Sequence, residues 1–326
     1  MIELSINSDF RDDVPSFDSM EEQLELIAKA GFSHVHWCYD WEDSYIYAES
    51  EMDMFKTWLV KYDLKVKGLH GTEGDRKSRF ENGEKVIIQK RKNTSTQRKD
   101  YTSLNEFSSL AGVDLIKNRI DLANKIGAQE VVLHMQMPYE DMAENQTFKA
   151  KYWQQVFKSF DELKSYALTK QVKIAVENLI WTPIDLQIEQ FERLFQRYPA
   201  EFLGLCYDSG HELLMAEKNQ FKLLEKFKHR VIALHVNDNF GYEQIGKQQD
   251  DFKIVANDRH LPPFSGAIDW QTFAQLLSQS PYELPLTMEL VVPSDYQGSS
   301  FDFLLEAKAK GERLTELVLE KGIKKG

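Results

Sequence analysis

The chain has 326 residues, of which 42% are hydrophobic and 28% charged, and its net charge is −12. This balance is ordinary for a globular protein, and the length allows a large buried core. The acidic charge argues against nucleic acid as a partner held by bulk positive charge, although a local basic patch could still contact it. No apolar stretch approaches about 18 residues, so we predict no membrane span. The two cysteines, Cys38 and Cys206, form no disulfide framework, and we expect a reduced, cytoplasmic protein.

Strand-like and helix-like segments alternate along the chain. Strands are predicted at residues 2–7, 33–39, 64–70, 130–134, 172–177, 202–208, 231–235 and 284–291. Helices are predicted at residues 19–30, 50–62, 107–126, 145–170, 184–198, 212–227, 270–279 and 300–321. Eight such units predict an α/β fold, a (β/α)8 TIM barrel, as a single domain over residues 1–326. An open doubly wound sheet is the alternative, but the turn after the first strand lacks the glycines that such a sheet would use.

The segment 71–106 interrupts the alternation after the third strand, and we predict an inserted loop there. It is polar and weakly periodic, and six of its residues make it locally basic: Lys85, Lys90, Arg91, Lys92, Arg98 and Lys99. The functional interpretation is an arm that meets a phosphate. A solvated, mobile loop without a role is the more common case and is favoured here.

Several predicted strands end in a single His, Asp or Glu. Six such residues stand at or near strand ends, and three more lie just beyond them: His70, His134, Glu177, Asp208, His235 and Glu289, with His211, Asp258 and His260. In a parallel barrel the C-terminal ends of all strands meet at one face, so these side chains are expected to converge. Mixed imidazole and carboxylate donors suit Zn, Mn, Fe or Co, and converging carboxylates need a cation to offset their repulsion. The sequence therefore predicts a divalent metal site.

Each of these residues also has a structural explanation. A histidine at a strand end is more often a structural residue or a substrate contact than a ligand, and Glu177 or Asp208 could cap a helix. Asp258 and His260 could lie on an ordinary loop. The joint placement of these residues nevertheless favours a metal site. Asp208 and His211 are close together in the sequence, as are Asp258 and His260, and the two pairs lie on separate turns. Three histidines that are not at C-terminal strand ends are left out: His34, His36 and His229.

Four segments resemble the xylose isomerase-like TIM barrel superfamily. They are Val-Glu-Asn-Leu at 176–179, Asp-Ser-Gly-His at 208–211, Leu-His-Val-Asn-Asp at 234–238, and the run from Asp-Arg-His to Gly-Ala-Ile-Asp-Trp at 258–270. This superfamily joins sugar phosphate isomerases and epimerases with endonuclease IV-type apurinic endonucleases. The resemblance covers nearly the whole chain apart from the insertion, and it identifies the superfamily without choosing a member.

The epimerase branch implies one divalent ion, Zn, Mn or Co. Its ligands would be Glu177, Asp208, His235 and Glu289. The two glutamates would also form the acid and base pair, and His211 would contact the substrate. The implied function is a metal-dependent isomerase or epimerase of a sugar or sugar phosphate, acting through a metal-stabilised enediolate. Trp37 and Trp181 would wall the substrate pocket, or would simply pack in the core or at the rim.

The endonuclease branch implies three zinc ions and uses all nine residues, so the implied number of ions is one to three. The additional ligands are His70 and His134 beside a bridging Glu177, and His211, Asp258 and His260. A zinc-dependent apurinic endonuclease is therefore the alternative function. The residues after His70 and His134 differ from the nuclease pattern, and an acidic surface offers few phosphate contacts. A barrel that binds a sugar or metal without catalysis is a further alternative, and the substrate and the oligomeric state stay open.

Overall fold

The structure is a computed structural model that describes residues 2–11, 20–38, 46–71, 77–81, 84–89, 100–135, 137–180, 182–216, 220–241 and 257–322. The strands within these ranges are β1 Leu4–Asn7, β2 His34–Trp37, β3 Lys65–His70, β4 Lys77–Glu81, β5 Glu84–Gln89, β6 Glu130–Leu133, β7 Lys173–Glu177, β8 Leu203–Asp208, β9 Val231–His235 and β10 Leu286–Met288. The α-helices are α1 Met20–Lys29, α2 Glu49–Lys61, α3 Glu106–Ile126, α4 Tyr139–Glu144, α5 Gln146–Lys170, α6 Ile184–Arg197, α7 Ser209–Met215, α8 Lys222–Phe227, α9 Trp270–Leu277 and α10 Ser300–Gly322.

Eight of the described strands form one parallel sheet in the order β10–β1–β2–β3–β6–β7–β8–β9. The sheet closes on itself one residue beyond β9. There the amide of Val236 donates to the carbonyl of Thr287 at 2.9 Å, and the amide of Glu289 donates to Val236 at 3.2 Å. The helices surround this ring, so the (β/α)8 barrel predicted from the alternating segments is confirmed.

Local sequence sets the ends of the helices that cover the barrel. The side chain of Asn105 accepts a hydrogen bond from the amide of Ser108, which satisfies a donor in the first turn of α3. The helix ends at Gly127, whose φ of 85° is the left-handed conformation that glycine adopts freely. Asn145 caps α5 in the same way. The apolar faces of both helices join one continuous core with the outward faces of the strands.

The predicted inserted loop at 71–106 contains two strands. Residues 77–81 and 84–89 pair as an antiparallel two-stranded sheet outside the barrel. The run Val86, Ile87 and Ile88 explains the second strand, because β-branched residues favour extended backbone. Five of the six basic residues of the insertion lie outside the described residues, so neither the favoured loop without a role nor the alternative phosphate contact is tested.

The largest other differences from the predicted bounds are at residues 212–227 and 284–291. The helix predicted at 212–227 is two helices, α7 and α8, because Asp208 starts the first at Ser209 and the carboxylate of Glu212 accepts from the amides of Leu223 and Leu224 at the start of the second. The eighth barrel strand is shorter than predicted and covers Leu286–Met288. Within the described ranges, none of the helices has a stretch that is long and apolar enough to cross a bilayer.

Candidate metal centre

The nine predicted donors lie together at the C-terminal rim of the barrel. Three of the compact donor sets in the described part of the chain together contain all nine, and within each set the ligand atoms are within 4.8 Å of one another. The histidine group contains His70, His134 and Glu177. The central group contains Glu177, Asp208, His235 and Glu289. The loop group contains His211, Asp258 and His260.

The histidine group is built on the ends of three neighbouring strands. The Nε2 atom of His134 lies 3.1 Å from Oε2 of Glu177, and Nε2 of His70 lies 3.6 Å from the same oxygen. The other ring nitrogen of His70 faces the carbonyl of Gly71 at 2.6 Å. The hydroxyl of Tyr101 donates to the backbone carbonyl of His134, which ties the segment before α3 to this group.

The central group places one imidazole between two carboxylates. The Nδ1 atom of His235 lies 3.2 Å from Oε1 of Glu177 and 3.2 Å from Oε2 of Glu289. The oxygens of Asp208 are held from two sides, because Oδ1 accepts from the amide of His211 and Oδ2 accepts from the side-chain amide of Asn237. Asp208 is therefore the N-cap of α7 as well as a member of the group.

The loop group joins the first turn of α7 to the segment after β9. Asp258 Oδ2 lies 3.4 Å from Nε2 of His211 and 3.2 Å from Nε2 of His260. The Nδ1 atoms of these histidines face the carbonyls of Asn178 and Glu289, at 2.9 and 3.1 Å. His260 has a φ of 46°, an uncommon backbone conformation for a residue with a side chain, and such residues are concentrated at functional sites.

Two independent observations indicate that the donor set fits a divalent ion. His70, His211 and His260 each turn Nδ1 to a backbone carbonyl and Nε2 to a carboxylate, which is the arrangement of metal-binding histidines. Among the residues that the structure describes, three buried atoms of the groups have no hydrogen-bond partner: Glu177 Oε1, His235 Nδ1 and Asp258 Oδ1. Buried polar atoms are normally satisfied, and a cation would satisfy these.

Burial and neighbouring charges shift the pKa values of residues in the three donor groups. Burial disfavours the charged form of Glu177, but the imidazoles of His235 and His134 outweigh it and hold its pKa well below the ordinary value. The pKa of Glu289 falls to about 2, because His235 outweighs the effect of burial. Burial opposes charge on His260 as well, yet Asp258 raises its pKa to about 10. Metal binding to these groups must therefore displace protons from histidines.

Two further parts of the sequence motifs have structural roles. A Cβ atom at Gly210 would lie 1.9 Å from Oδ1 of Asn237, so the glycine leaves room for the side chain that holds Asp208. The buried carboxylate of Asp238 accepts from the amide of Gly266 and the indole of Trp270. It thus anchors the loop that follows the ligand pair of the loop group. Asn237 is not among the site residues predicted from the sequence, although it follows the strand-end residue His235 by two positions.

Two neighbouring residues of β2, His36 and Trp37, are buried but belong to none of the three groups. Trp37 is fully buried and its ring packs on Phe55 at 4.7 Å between centroids, which places it in the core rather than in a pocket wall. Trp181 lies outside the described residues. His36 belongs to none of the three groups, but its Nε2 atom lies 3.1 Å from Nε2 of His235 inside the barrel. Burial lowers the pKa of His36 well below its usual value.

Residues 24–307 match the family model of the xylose isomerase-like TIM barrel. The uncharacterized protein y4fM of Sinorhizobium fredii is 32% identical over 303 residues, which are 92% of this chain and 90% of that protein. The chain therefore belongs to the xylose isomerase-like TIM barrel family, as its motifs implied. An inosose dehydratase of Glaesserella parasuis is 25% identical over 145 residues, which are 43% of this chain and 48% of that enzyme.

Solved structures share the fold at low sequence identity. A D-tagatose 3-epimerase-like protein superposes with a TM-score of 0.66 and 17% identity, covering 98% of this chain and 99% of that one. A D-psicose 3-epimerase determined in the presence of D-fructose has a TM-score of 0.66 and 11% identity, covering 98% of this chain and 100% of the other. A xylose isomerase-like barrel of Mycobacterium smegmatis in complex with magnesium has a TM-score of 0.63 and 14% identity, covering 99% and 98%.

Proposed function

We propose that this protein is a divalent-metal-dependent isomerase or epimerase of a sugar or sugar phosphate. The observation that carries the proposal is the central group, in which His235 stands 3.2 Å from the carboxylates of both Glu177 and Glu289. Proton transfer next to a carbonyl needs a base and an acid near one polarising centre. Membership of the family and the fold shared with sugar 3-epimerases support the same class of chemistry.

The chain's own residues supply the proton transfer in this proposal. Glu177, Asp208, His235 and Glu289 would hold a divalent ion, which supplies Lewis-acid polarisation of a substrate carbonyl when bound. Glu289 is ionised at neutral pH, since its pKa is near 2, and its side chain is 14% exposed. It is therefore the base that takes the proton from the carbon beside the carbonyl. The pKa of Glu177, 1% exposed, is also well below its ordinary value, so Glu177 must first take up a proton, which it then returns to the substrate as the acid of the pair.

The histidine and loop groups favour one other candidate, the zinc-dependent apurinic endonuclease. An epimerase that uses one ion needs only the central group, whereas the described residues form further compact donor sets around it, among them the histidine and loop groups. Two or three adjacent ions are suited to displacement at a phosphate ester. The net charge of −12 disfavours the wide phosphate contact that duplex DNA requires, so we rank this function second.

Elemental analysis of the purified, undialysed protein tests the proposal, together with turnover of a panel of ketoses, aldoses and their phosphates. We expect bound Zn, Mn or Co and isomerisation or epimerisation that is lost on chelation. Two or three zinc ions per chain, with cleavage of a duplex that contains an abasic site and no turnover of sugars, would favour the endonuclease. Metal binding without conversion of either substrate class would indicate a binding protein.

A further inference from the structure

A histidine can bind an ion only if its ring is oriented with an unprotonated nitrogen towards the ion. In His70, His211 and His260 a backbone carbonyl accepts from Nδ1 and Nε2 faces a carboxylate. Nδ1 of His211 also lies 3.2 Å from Oε1 of Glu177, and Nδ1 of His260 lies 3.6 Å from Oε2 of Glu289. His235 is reversed, because its Nδ1 faces Glu177 and Glu289. Its Nε2 atom faces another imidazole, that of His36, at 3.1 Å.

We propose that His36 is a positioning residue for the central group, taking the place that a backbone carbonyl has beside the other histidines. A ligand histidine binds through a bare nitrogen, so His235 must carry its proton on Nε2 when Nδ1 binds an ion. A neutral His36 ring offers a lone pair on Nε2 that accepts this proton's hydrogen bond. The inference rests on the proposed metal centre and adds a residue that determines its affinity.

The strands are built in a way that brings His36 to this position. The pairing of β2 with β3 shifts register between Val35 and His36, and such an irregularity redirects the next side chain. The neighbouring residue on β3 is Gly68, and a Cβ atom there would lie 2.9 Å from Nδ1 of His36. Absence of a side chain at Gly68 therefore makes room for the imidazole ring.

Packing inside the barrel keeps the two rings together. His36 is 1% exposed and His235 is fully buried, with 4.8 Å between ring centroids and an interplanar angle of 71°. At this edge-on angle a ring nitrogen of one imidazole can donate to the lone pair of the other. Cys206 also lies within reach of His235 and belongs to a compact set with it and Glu177, but a thiol is a much weaker acceptor than an imidazole nitrogen.

The test compares zinc affinity in His36→Leu, His36→Gln and the wild type by competition with a chromophoric chelator. The leucine variant should bind at least one zinc equivalent about 10- to 100-fold more weakly, as for loss of other partners of ligand histidines. The glutamine variant keeps an acceptor oxygen near the position of Nε2, so its zinc affinity should stay close to that of the wild type. His34→Leu is the matched control, since His34 lies on the same strand and its Nδ1 bonds to Ser33 Oγ, at 2.8 Å.

Nitrogen-15 spectra of the histidine rings give a readout that does not depend on activity or on a variant. In the zinc-loaded wild type, His235 should be protonated at Nε2 and bound to zinc at Nδ1. Three outcomes would each overturn the role of His36. They are protonation of His235 at Nδ1 with zinc at Nε2, a zinc affinity of His36→Leu equal to that of the wild type, and an equal loss of zinc affinity in the folded leucine and glutamine variants. A wild-type protein that takes up no zinc, manganese or cobalt would instead overturn the proposed metal centre, and this inference with it.

Discussion

Glu177 and Glu289 have different positions in the centre although both are strand-end glutamates. Glu177 is 1% exposed and reaches all three groups, because Oε2 lies near His134 and Oε1 lies 3.2 Å from both His235 and His211. Glu289 is 14% exposed and approaches the group from the last strand. Glu177 is thus the shared carboxylate that joins the groups, and Glu289 is the carboxylate that a substrate can reach.

Replacing Glu289 by glutamine should therefore abolish turnover while the fold survives. The amide cannot take a proton, and loss of a positioned general base costs about 100- to 10,000-fold in rate. The thermal midpoint should change little, because residues at the C-terminal rim of a barrel carry function rather than core stability. Steady-state rates on the sugar substrate, metal content and thermal unfolding check these expectations.

Glu283→Gln is the control for this variant. It makes the same chemical change at an exposed position before the last barrel strand, at the end remote from the site. Full activity in Glu289→Gln would show that the proposed base is wrong. Loss of activity in both variants would point to damage of the strand rather than to a catalytic role.

At the scale of elements, α3 lies unusually close to the segment that precedes it. A Cβ atom at Gly112 would lie 2.3 Å from the amide nitrogen of Tyr101 and 2.6 Å from the carbonyl carbon of Asp100. These are backbone atoms, which cannot rotate away. Tyr101 also holds the carbonyl of His134, so this close approach supports the histidine group.

Gly112→Ala should consequently destabilise the protein, even though alanine has the higher helix propensity by about 1 kcal/mol. Forcing a methyl group into a packed contact costs about 1–3 kcal/mol, and the backbone here must move. Urea unfolding measures the change in the free energy of unfolding. Gly127→Ala, at the C-terminal cap of the same helix, is the comparison, because nothing lies within 4 Å of its Cβ position and only its φ of 85° opposes alanine. An increase in stability in Gly112→Ala would contradict the packing described.

The join between α7 and α8 contains a buried carboxylate with an unusual protonation. Glu212 is fully buried and accepts from the amides of Leu223 and Leu224. Burial raises its pKa from 4.5 to about 7, against the effect of these hydrogen bonds. A raised pKa in an acid means that the folded state binds the proton more tightly than the unfolded state does.

The contribution of Glu212 to stability should therefore be greatest below pH 4.5 and should decline as the pH rises towards 7. One pKa unit corresponds to about 1.4 kcal/mol, so the decline is on the order of 3 kcal/mol. Glu212→Gln cannot titrate, and the stability of the variant relative to the wild type should rise between pH 5 and pH 8. Denaturant unfolding at several pH values measures this, with Glu320→Gln, an exposed glutamate of α10, as control. A constant difference between variant and wild type would refute it.

For the whole molecule, the donor groups link strands from most of the barrel circumference. Residues at the ends of β3, β6, β7, β8, β9 and β10 contribute to one centre. An ion that binds the folded state and not the unfolded state stabilises the protein by about 2.7 kcal/mol at 100 times its dissociation constant. Metal bound at this centre should thus hold the rim of the barrel together.

Removal of metal with a chelator should lower the thermal midpoint, and adding back Zn or Mn should restore it. The effect should weaken at acid pH, because protons compete for the histidines of the centre. Differential scanning calorimetry of the holo, chelated and reconstituted protein measures these changes. The variant Asp208→Asn, which keeps the cap of α7, should reduce the response to metal. An identical midpoint in all three states would contradict a structural contribution of the ion.

The sequence by itself determined the barrel and the donors at its rim. Strand-length apolar runs alternate with helical periodicity, and His70, Glu177, Asp208 and His235 end their strands in both the sequence and the structure. In a parallel barrel the end of every strand points to one face, so position along the strand is enough to predict convergence. The three groups follow from this rule together with the two compact ligand spacings.

Tertiary structure alone decided which neighbours hold the donors. His36 meets His235 across 199 positions in sequence through a register shift and a missing side chain at Gly68, and neither is visible as a local pattern. The same holds for Trp37, whose aromatic ring packs inward on Phe55. The residue type at the end of each strand can be read from the local sequence and recurs from one strand to the next. The contacts of His36 and Trp37 depend instead on how distant elements pack. That is why the sequence could predict the candidate ligands, whereas only the structure supplied the residue proposed to orient one of them.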